Sequence, residues 1–248
     1  MNVRLGLAGA LLALAATAAP AAAHAPMVVE AGNSSPATAF LLEDPTLSRA
    51  IGATLDAPGE VDWYRMELRA GDALVVELTA PDAAGGVATS LTVLGPGLPA
   101  PGDERAAALA EAVAATGAIE HEAAGGEREV HAGLGFIAWG GVRTAAPEAG
   151  TYWIVVRAAA EGDTGKYVLA PGVREEFGPA AIGGMADLVA FFNAPWPPEP
   201  GTTATGGADG VVAVIVAAAV ALVLAGILVR RGRGGGSAPR PAPPSGAG

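Results

Sequence analysis

The chain has 248 residues, no cysteine and a formal net charge of −11. The lack of cysteine excludes disulfides, thiolate metal sites and cysteine nucleophiles. All 25 acidic residues but only nine of the 14 basic residues lie between Glu30 and Asp209, so this span has a formal charge of −16. A span this acidic repels the phosphate backbone of nucleic acids, so we expect no nucleic-acid partner. The 36 glycines and 20 prolines favour many turns and an all-β chain.

The N-terminal segment, residues 1–23, has the order of a secretory signal peptide. Arg4 precedes an apolar run of leucine and alanine, and small residues follow. Ala21 and Ala23 supply the small side chains that cleavage needs, which predicts His24 as the first mature residue. Cleavage after Ala21 is an alternative.

Residues 24–172 are predicted to form a single β-sandwich or jelly-roll ectodomain. An extended lead-in over 24–45 precedes the first predicted strand. We expect the turn Arg69–Asp72 to join the second and third strands as a hairpin, and the loop Glu161–Gly165 to join the last two. Alternation of apolar and polar residues predicts seven strands: Arg49–Leu55, Val61–Leu68, Ala73–Thr79, Thr89–Leu94, Leu134–Trp139, Thr151–Arg157 and Lys166–Ala170.

Two stretches have helical character. Asp103–Ala115 predicts a short helical insertion with Asp103 as its N-cap. In the extension 173–198, four apolar residues at i, i+3, i+4 and i+7 predict an amphipathic helix that packs on the sandwich: Met185, Leu188, Val189 and Phe192.

The C-terminal region predicts a membrane anchor. A linker over 199–210 leads to Val211–Val229, 19 residues without a charge that would rise about 28 Å as a helix. Three arginines follow within residues 230–233, and this positive-inside asymmetry predicts a cytoplasmic C-terminus and an extracytoplasmic N-terminal domain. The tail 230–248 is too poor in apolar residues to fold, which predicts that it is disordered. The sequence therefore predicts a single-pass cell-membrane protein.

Several short motifs resemble a known module. They are Glu60–Met66 (EVDWYRM), the Gly71-Asp72 turn, Gly150–Val156 (GTYWIVV) and Tyr167–Leu169 (YVL). Together they are similar to the bacterial pre-peptidase C-terminal (PPC) domain, a secreted jelly-roll module, over residues 48–170 with an insertion near 97–131. The resemblance implies an accessory, adhesive or binding unit and assigns no reaction.

The whole chain also resembles a group of secreted or membrane-anchored prokaryotic surface proteins. The resemblance rests on the mature end His24-Ala25, Asp44-Pro45-Thr46, Gly95–Leu98 and Glu175-Glu176-Phe177. It implies a cell-surface location and no particular ligand.

The three histidines, His24, His121 and His131, are the candidate metal ligands. If His24 is the mature N-terminus, its α-amine and imidazole can chelate copper, and His121 or His131 would complete the site. The alternative is that His24 is simply the first residue left by signal-peptide cleavage and that His121 and His131 are loop residues, with no metal bound.

Glu60 and Asp62 are the candidate carboxylate pair. Two carboxylates can act as acid and base or bind calcium, whereas solvated turn carboxylates are the simpler interpretation. Trp63 and Tyr64 are neighbours in a strand and must face opposite sides of the sheet. We expect one of them in the core and the other at the surface.

No sequence pattern supports an enzyme. No serine occupies a Gly-x-Ser-x-Gly elbow, and the chain has no glycine-rich phosphate loop. We therefore expect a membrane-anchored binding module without catalytic activity, with a protein or carbohydrate ligand. The alternative is an extracytoplasmic copper-binding protein that uses His24.

Overall fold

The computed structural model describes residues 25–82, 85–131, 134–176 and 179–197. The predicted signal peptide, His24, the linker 199–210, the predicted transmembrane segment 211–229 and the tail all lie outside these residues. Within the described ranges, no helix is both long enough and apolar enough to cross a membrane.

The described residues form eleven β-strands in two sheets. The six-stranded sheet has the order β1-β3-β11-β5-β9-β8 and the five-stranded sheet the order β2-β4-β10-β6-β7. The strands are β1 Ala25–Val28, β2 Phe40–Leu41, β3 Arg49–Leu55, β4 Val61–Leu68, β5 Ala73–Pro81, β6 Thr89–Gly95, β7 Gly117–His121, β8 Glu127–His131, β9 Leu134–Ala145, β10 Gly150–Ala158 and β11 Gly165–Pro171.

One apolar core lies between the two sheets and confirms the predicted all-β sandwich. The five-stranded sheet contributes Tyr64 and Ile154 to it, and the six-stranded sheet contributes Ile51, Leu78 and Leu169, all fully buried. On each strand the core side chains alternate with outward-facing ones, as the two-residue period of a strand requires.

Both predicted hairpins are wrong. β4 and β5 belong to different sheets, and so do β10 and β11. The turn Arg69–Asp72 is closed instead against the end of β9, since Gly71 N–H donates to the Ala146 carbonyl and Ala146 N–H donates to the Asp72 carbonyl. Alternation shows which face of a strand is apolar. It does not show whether the next strand lies beside it or across the core.

β9 runs six residues beyond its predicted end at Trp139. The pairing with β5 shifts between Leu78 and Thr79, so Trp139 is the extra residue of a β-bulge, followed by Gly140 with φ of +87°. At Gly141, a Cβ atom would lie 2.0 Å from the Val76 carbonyl oxygen. Two glycines that look like a loop signal are therefore what lets β9 continue past the bulge.

Each sheet carries one helix on its outer face. α1 (Glu104–Ala112) begins at Asp103, whose Oδ1 accepts from Ala106 N–H at 2.7 Å, confirming the predicted N-cap. Its Ala106 and Ala110 pack on Trp63 and Val155 of the five-stranded sheet.

α2 (Pro179–Asn193) covers the outer face of the six-stranded sheet, which confirms the predicted packing of this helix. Its Leu188 and Phe192 pack on Ala50, Phe136 and Val168. The insertion near 97–131 holds more than the predicted helix, because it also supplies the edge strands β7 and β8.

Lys166, the only lysine of the chain, holds the end of α2. It is 2% exposed, and its Nζ donates to the carbonyls of Phe191, at 2.8 Å, and Ala194. A cation at this end of a helix satisfies carbonyls that have no partner within the helix. Trp196 then packs against Gly85, so the last described residues lie at the end of the sandwich where β11 begins.

The bulge predicts a specific glycine requirement. We expect Gly141→Ala to lower the free energy of unfolding by about 3 kcal/mol, because the new Cβ would overlap a ladder carbonyl that cannot move without breaking its strand pairing. The matched control is Gly162→Ala, in a loop where a new Cβ meets nothing within 4 Å but φ is +95°. For this variant we expect the free energy of unfolding to fall by only about 1 kcal/mol, from backbone strain alone. Urea unfolding of the full-length chain measures both, and equal losses would contradict the bulge.

Candidate functional site

Asp62 does not lie in a solvated turn but is buried in a hydrogen-bonded chain with two tyrosines. Tyr167 OH on β11 donates to Asp62 Oδ2 at 2.5 Å, and the hydroxyl oxygens of Tyr64 and Tyr167 are 2.7 Å apart. Because the single proton of Tyr167 is given to Asp62, Tyr64 is the donor to Tyr167. Asp62 and Tyr64 lie on the five-stranded sheet and Tyr167 on the other, so the chain of bonds joins the two sheets.

Burial controls the charge of this group. Asp62 is 2% exposed. Desolvation raises the pKa of Asp62 to about 6, against the hydrogen bond from Tyr167, which lowers it, and together with the nearby carboxylates of Glu60 and Asp56, which raise it. Burial also raises the pKa of both tyrosines above the usual value, so they stay protonated.

The other residues near Asp62 have structural roles. Glu60 does not pair with Asp62 as acid and base, since its Oε2 accepts from the backbone N–H of Asp56, at 2.6 Å, and Ala57, at 2.9 Å. Tyr64 and Trp63 face opposite sides as predicted, but both are buried. Trp63 meets Trp153 edge-on beneath α1, with ring centroids 6.2 Å apart.

Two of the three candidate histidine ligands, His121 and His131, lie in described strands, and the structure does not bring their backbone positions together. His24 lies outside the described residues. His121 Nε2 donates to the Trp139 carbonyl at 2.7 Å, whereas His131 pairs with Leu134, about 17 Å away along β9. Within the described residues, no three His, Asp or Glu side chains converge as a metal-ligand group. Copper and calcium stay predictions.

A cleft of about 470 Å³ opens beside α1, at the end of the sandwich where β11 begins. Its floor is apolar, formed by Val61 of β4, Leu109 of α1 and Val155 of β10. Its rim is formed by the residues before β4, by the end of β10 and the loop after it, and by one side chain of α1: Gly59, Glu60, Arg157, Ala158, Ala159, Ala160, Glu161, Gly162 and Arg105. The size falls within the range of sites for small ligands.

The four charged side chains of the cleft are not equivalent. Arg157 is compensated, because its Nη2 is paired with Glu122 and its Nη1 donates to the Ala158 carbonyl at 3.2 Å. Arg105 and Glu161 are exposed, and neither forms an ion pair or side-chain hydrogen bond with another described residue. The cleft therefore offers one uncompensated guanidinium, on α1, and one uncompensated carboxylate, on the loop between β10 and β11.

Among the charged residues of the cleft, the sequence pointed to Glu60 as a candidate carboxylate and to Glu161 as a turn residue, but not to Arg105 or Arg157. The sequence does contain a signal for Arg105, because a cation in the first turn of a helix opposes the helix dipole and suggests another use for that side chain. The sequence contains no such signal for the apolar floor of the cleft, because the floor depends on where α1 crosses the sheet.

No protein-family model matches the chain, and a search of curated proteins finds no significant match. The resemblance to the PPC domain therefore stays a prediction.

The buried carboxylate predicts a pH dependence of stability. The folded-state pKa of Asp62, about 6, lies above the ordinary value of 3.8, so the folded chain binds this proton more tightly than the unfolded chain. The contribution of Asp62 to stability is therefore greatest below pH 4 and falls by about 3 kcal/mol as the pH rises to 6. We expect Asp62→Asn, whose amide oxygen can still accept from Tyr167, to remove this fall.

Urea unfolding of the full-length chain between pH 4 and pH 7.5 measures the difference. Asp163→Asn, in an exposed loop, is the matched control and should keep the wild-type profile. An Asp62→Asn profile parallel to that of the wild type would contradict the assignment.

Proposed function

We propose that the chain is a membrane-anchored extracytoplasmic binding module that acts without turnover, and that its ligand occupies the cleft beside α1. The observation that carries the proposal is the uncompensated pair Arg105 and Glu161 around an apolar floor. Apolar contact with a few oriented polar groups is the usual composition of a binding site. Asp62, Tyr64 and Tyr167, whose pKa values are raised by burial, lie by contrast between the sheets, out of reach of a substrate.

We also propose that the sandwich is a jelly roll. The strand order supports this, because β3, β4, β5 and β6 alternate between the two sheets and β9, β10 and β11 alternate in the same way. Eight of the described strands are then ordered β3-β11-β5-β9 in one sheet and β4-β10-β6-β7 in the other. Such an arrangement places all the chain crossings, and hence the binding loops, at the two ends of the sandwich.

The anchor would place the cleft on the membrane side. Lys166 and Gly85 hold residues 194–197 at the same end of the sandwich as the cleft. Residues 198–210 would then connect this end to the apolar segment 211–229, over at most about 45 Å. A ligand would therefore be bound close to the membrane surface, within reach of other membrane components.

Because the chain has no cysteine, single cysteines test both location and occupancy. We expect Ala160→Cys, on the cleft rim, to react with a membrane-impermeant maleimide in intact cells, and Ser237→Cys in the tail to react only after lysis. If a ligand occupies the cleft in cells, the cysteine at residue 160 should be labelled severalfold more slowly in cells than in the purified chain. Ala70→Cys, in an exposed turn at the other end of the sandwich, should react at the same rate in both.

Two results would contradict the proposal. Labelling at residue 237 in intact cells would overturn the topology. Equal rates at residue 160 in cells and in the purified chain would overturn occupancy of the cleft.

A further inference from the structure

The charge pattern of the cleft selects the chemistry of its ligand. We propose that the cleft binds a short peptide with free termini and small aliphatic side chains, its C-terminal carboxylate on Arg105 and its ammonium group on Glu161. The inference rests on the proposed function, because it names the ligand class of the same cleft.

Arg105 calls for one carboxylate. A guanidinium presents paired N–H donors in the geometry of a carboxylate, and Arg105 has no other partner among the described residues. A phosphorylated ligand fits less well, because Glu60 and Glu161 line the same cleft and the surrounding span of the chain carries a formal charge of −16. A single negative charge that is balanced within the ligand avoids this repulsion.

Glu161 supplies the second contact. No ion pair joins it to Arg105, although both line the same cleft, so the two opposite charges stay separated. A zwitterion with its charges at two ends can pair with both at once, whereas an amino sugar or a fatty acid would satisfy only one.

The apolar part of the lining suits aliphatic side chains on the ligand. Ala158, Ala159 and Ala160 lie on the rim and Val61, Leu109 and Val155 form the floor, so six of the twelve lining residues are aliphatic. None of the lining residues is aromatic, and the nearby Trp63 and Trp153 pack against each other beneath α1. The cleft therefore lacks the open ring face on which sugars stack, which favours a peptide over a carbohydrate.

Titration of the purified full-length chain with trialanine tests the ligand class. We expect binding that weakens at least tenfold when the peptide is C-terminally amidated and also weakens when it is N-acetylated. Arg105→Gln should reproduce the loss caused by amidation and bind the free and amidated peptides alike. Glu161→Gln should do the same for acetylation. Arg69→Gln, another exposed arginine without an ion pair among the described residues, is the matched control and should bind like wild type.

Equal affinity for free and amidated trialanine, or equal losses for Arg105→Gln and Arg69→Gln, would overturn the assignment. So would the absence of binding to wild type. Failure of the ligand class is distinguishable from failure of the cleft. If trialanine does not bind but Arg105→Gln restores fast labelling of a residue-160 cysteine in cells, the cleft is a binding site for another ligand. If the residue-160 cysteine is labelled as fast in cells as in the purified chain, the proposed function fails as well.

Discussion

The hydrogen bonds from Tyr64 to Tyr167 and from Tyr167 to Asp62 are the interaction on which the rest of the structure depends. They join the two sheets at the end where β4 begins and β11 starts. Apolar packing alone holds two sheets together without fixing how far one slides over the other, and a directional polar bond between them does fix it. The residues directly before Asp62, Glu60 and Val61, line the cleft, so this bridge also sets the position of the cleft rim.

The two helices on the outer faces of the sandwich determine where the cleft lies and where the described part of the chain ends. α1 covers part of the five-stranded sheet and leaves the cleft at its side, while α2 covers the six-stranded sheet and returns the chain to the same end. Lys166 fixes the position of the end of α2, because its buried ammonium group donates hydrogen bonds to the carbonyls there. One end of the sandwich thus combines the buried bridge, the cleft and the last described residues.

The sequence predicted seven of the eleven described strands, because each of these seven buries one face and the resulting alternation is local. It missed the short or edge strands β1, β2, β7 and β8. β3 and β4 have their predicted bounds. It predicted the pairing of strands wrongly, because β4 and β5 are apolar on one face whether they lie side by side or across the core. The burial of Asp62 was missed because its partner, Tyr167, lies 105 residues away. The cleft was missed because it depends on the path of α1 over the sheet, which no local pattern encodes.

A double-mutant cycle between Tyr64 and Tyr167 tests the bridge most directly. Tyr64→Phe, Tyr167→Phe and the double variant keep the aromatic packing and remove only hydroxyl groups. Urea unfolding of the full-length chain should give a coupling free energy of about 1 kcal/mol, because the two hydroxyls share one chain of hydrogen bonds. Losses that add within about 0.3 kcal/mol would show that the two sheets are not joined in this way, and would remove the basis for the position of the cleft.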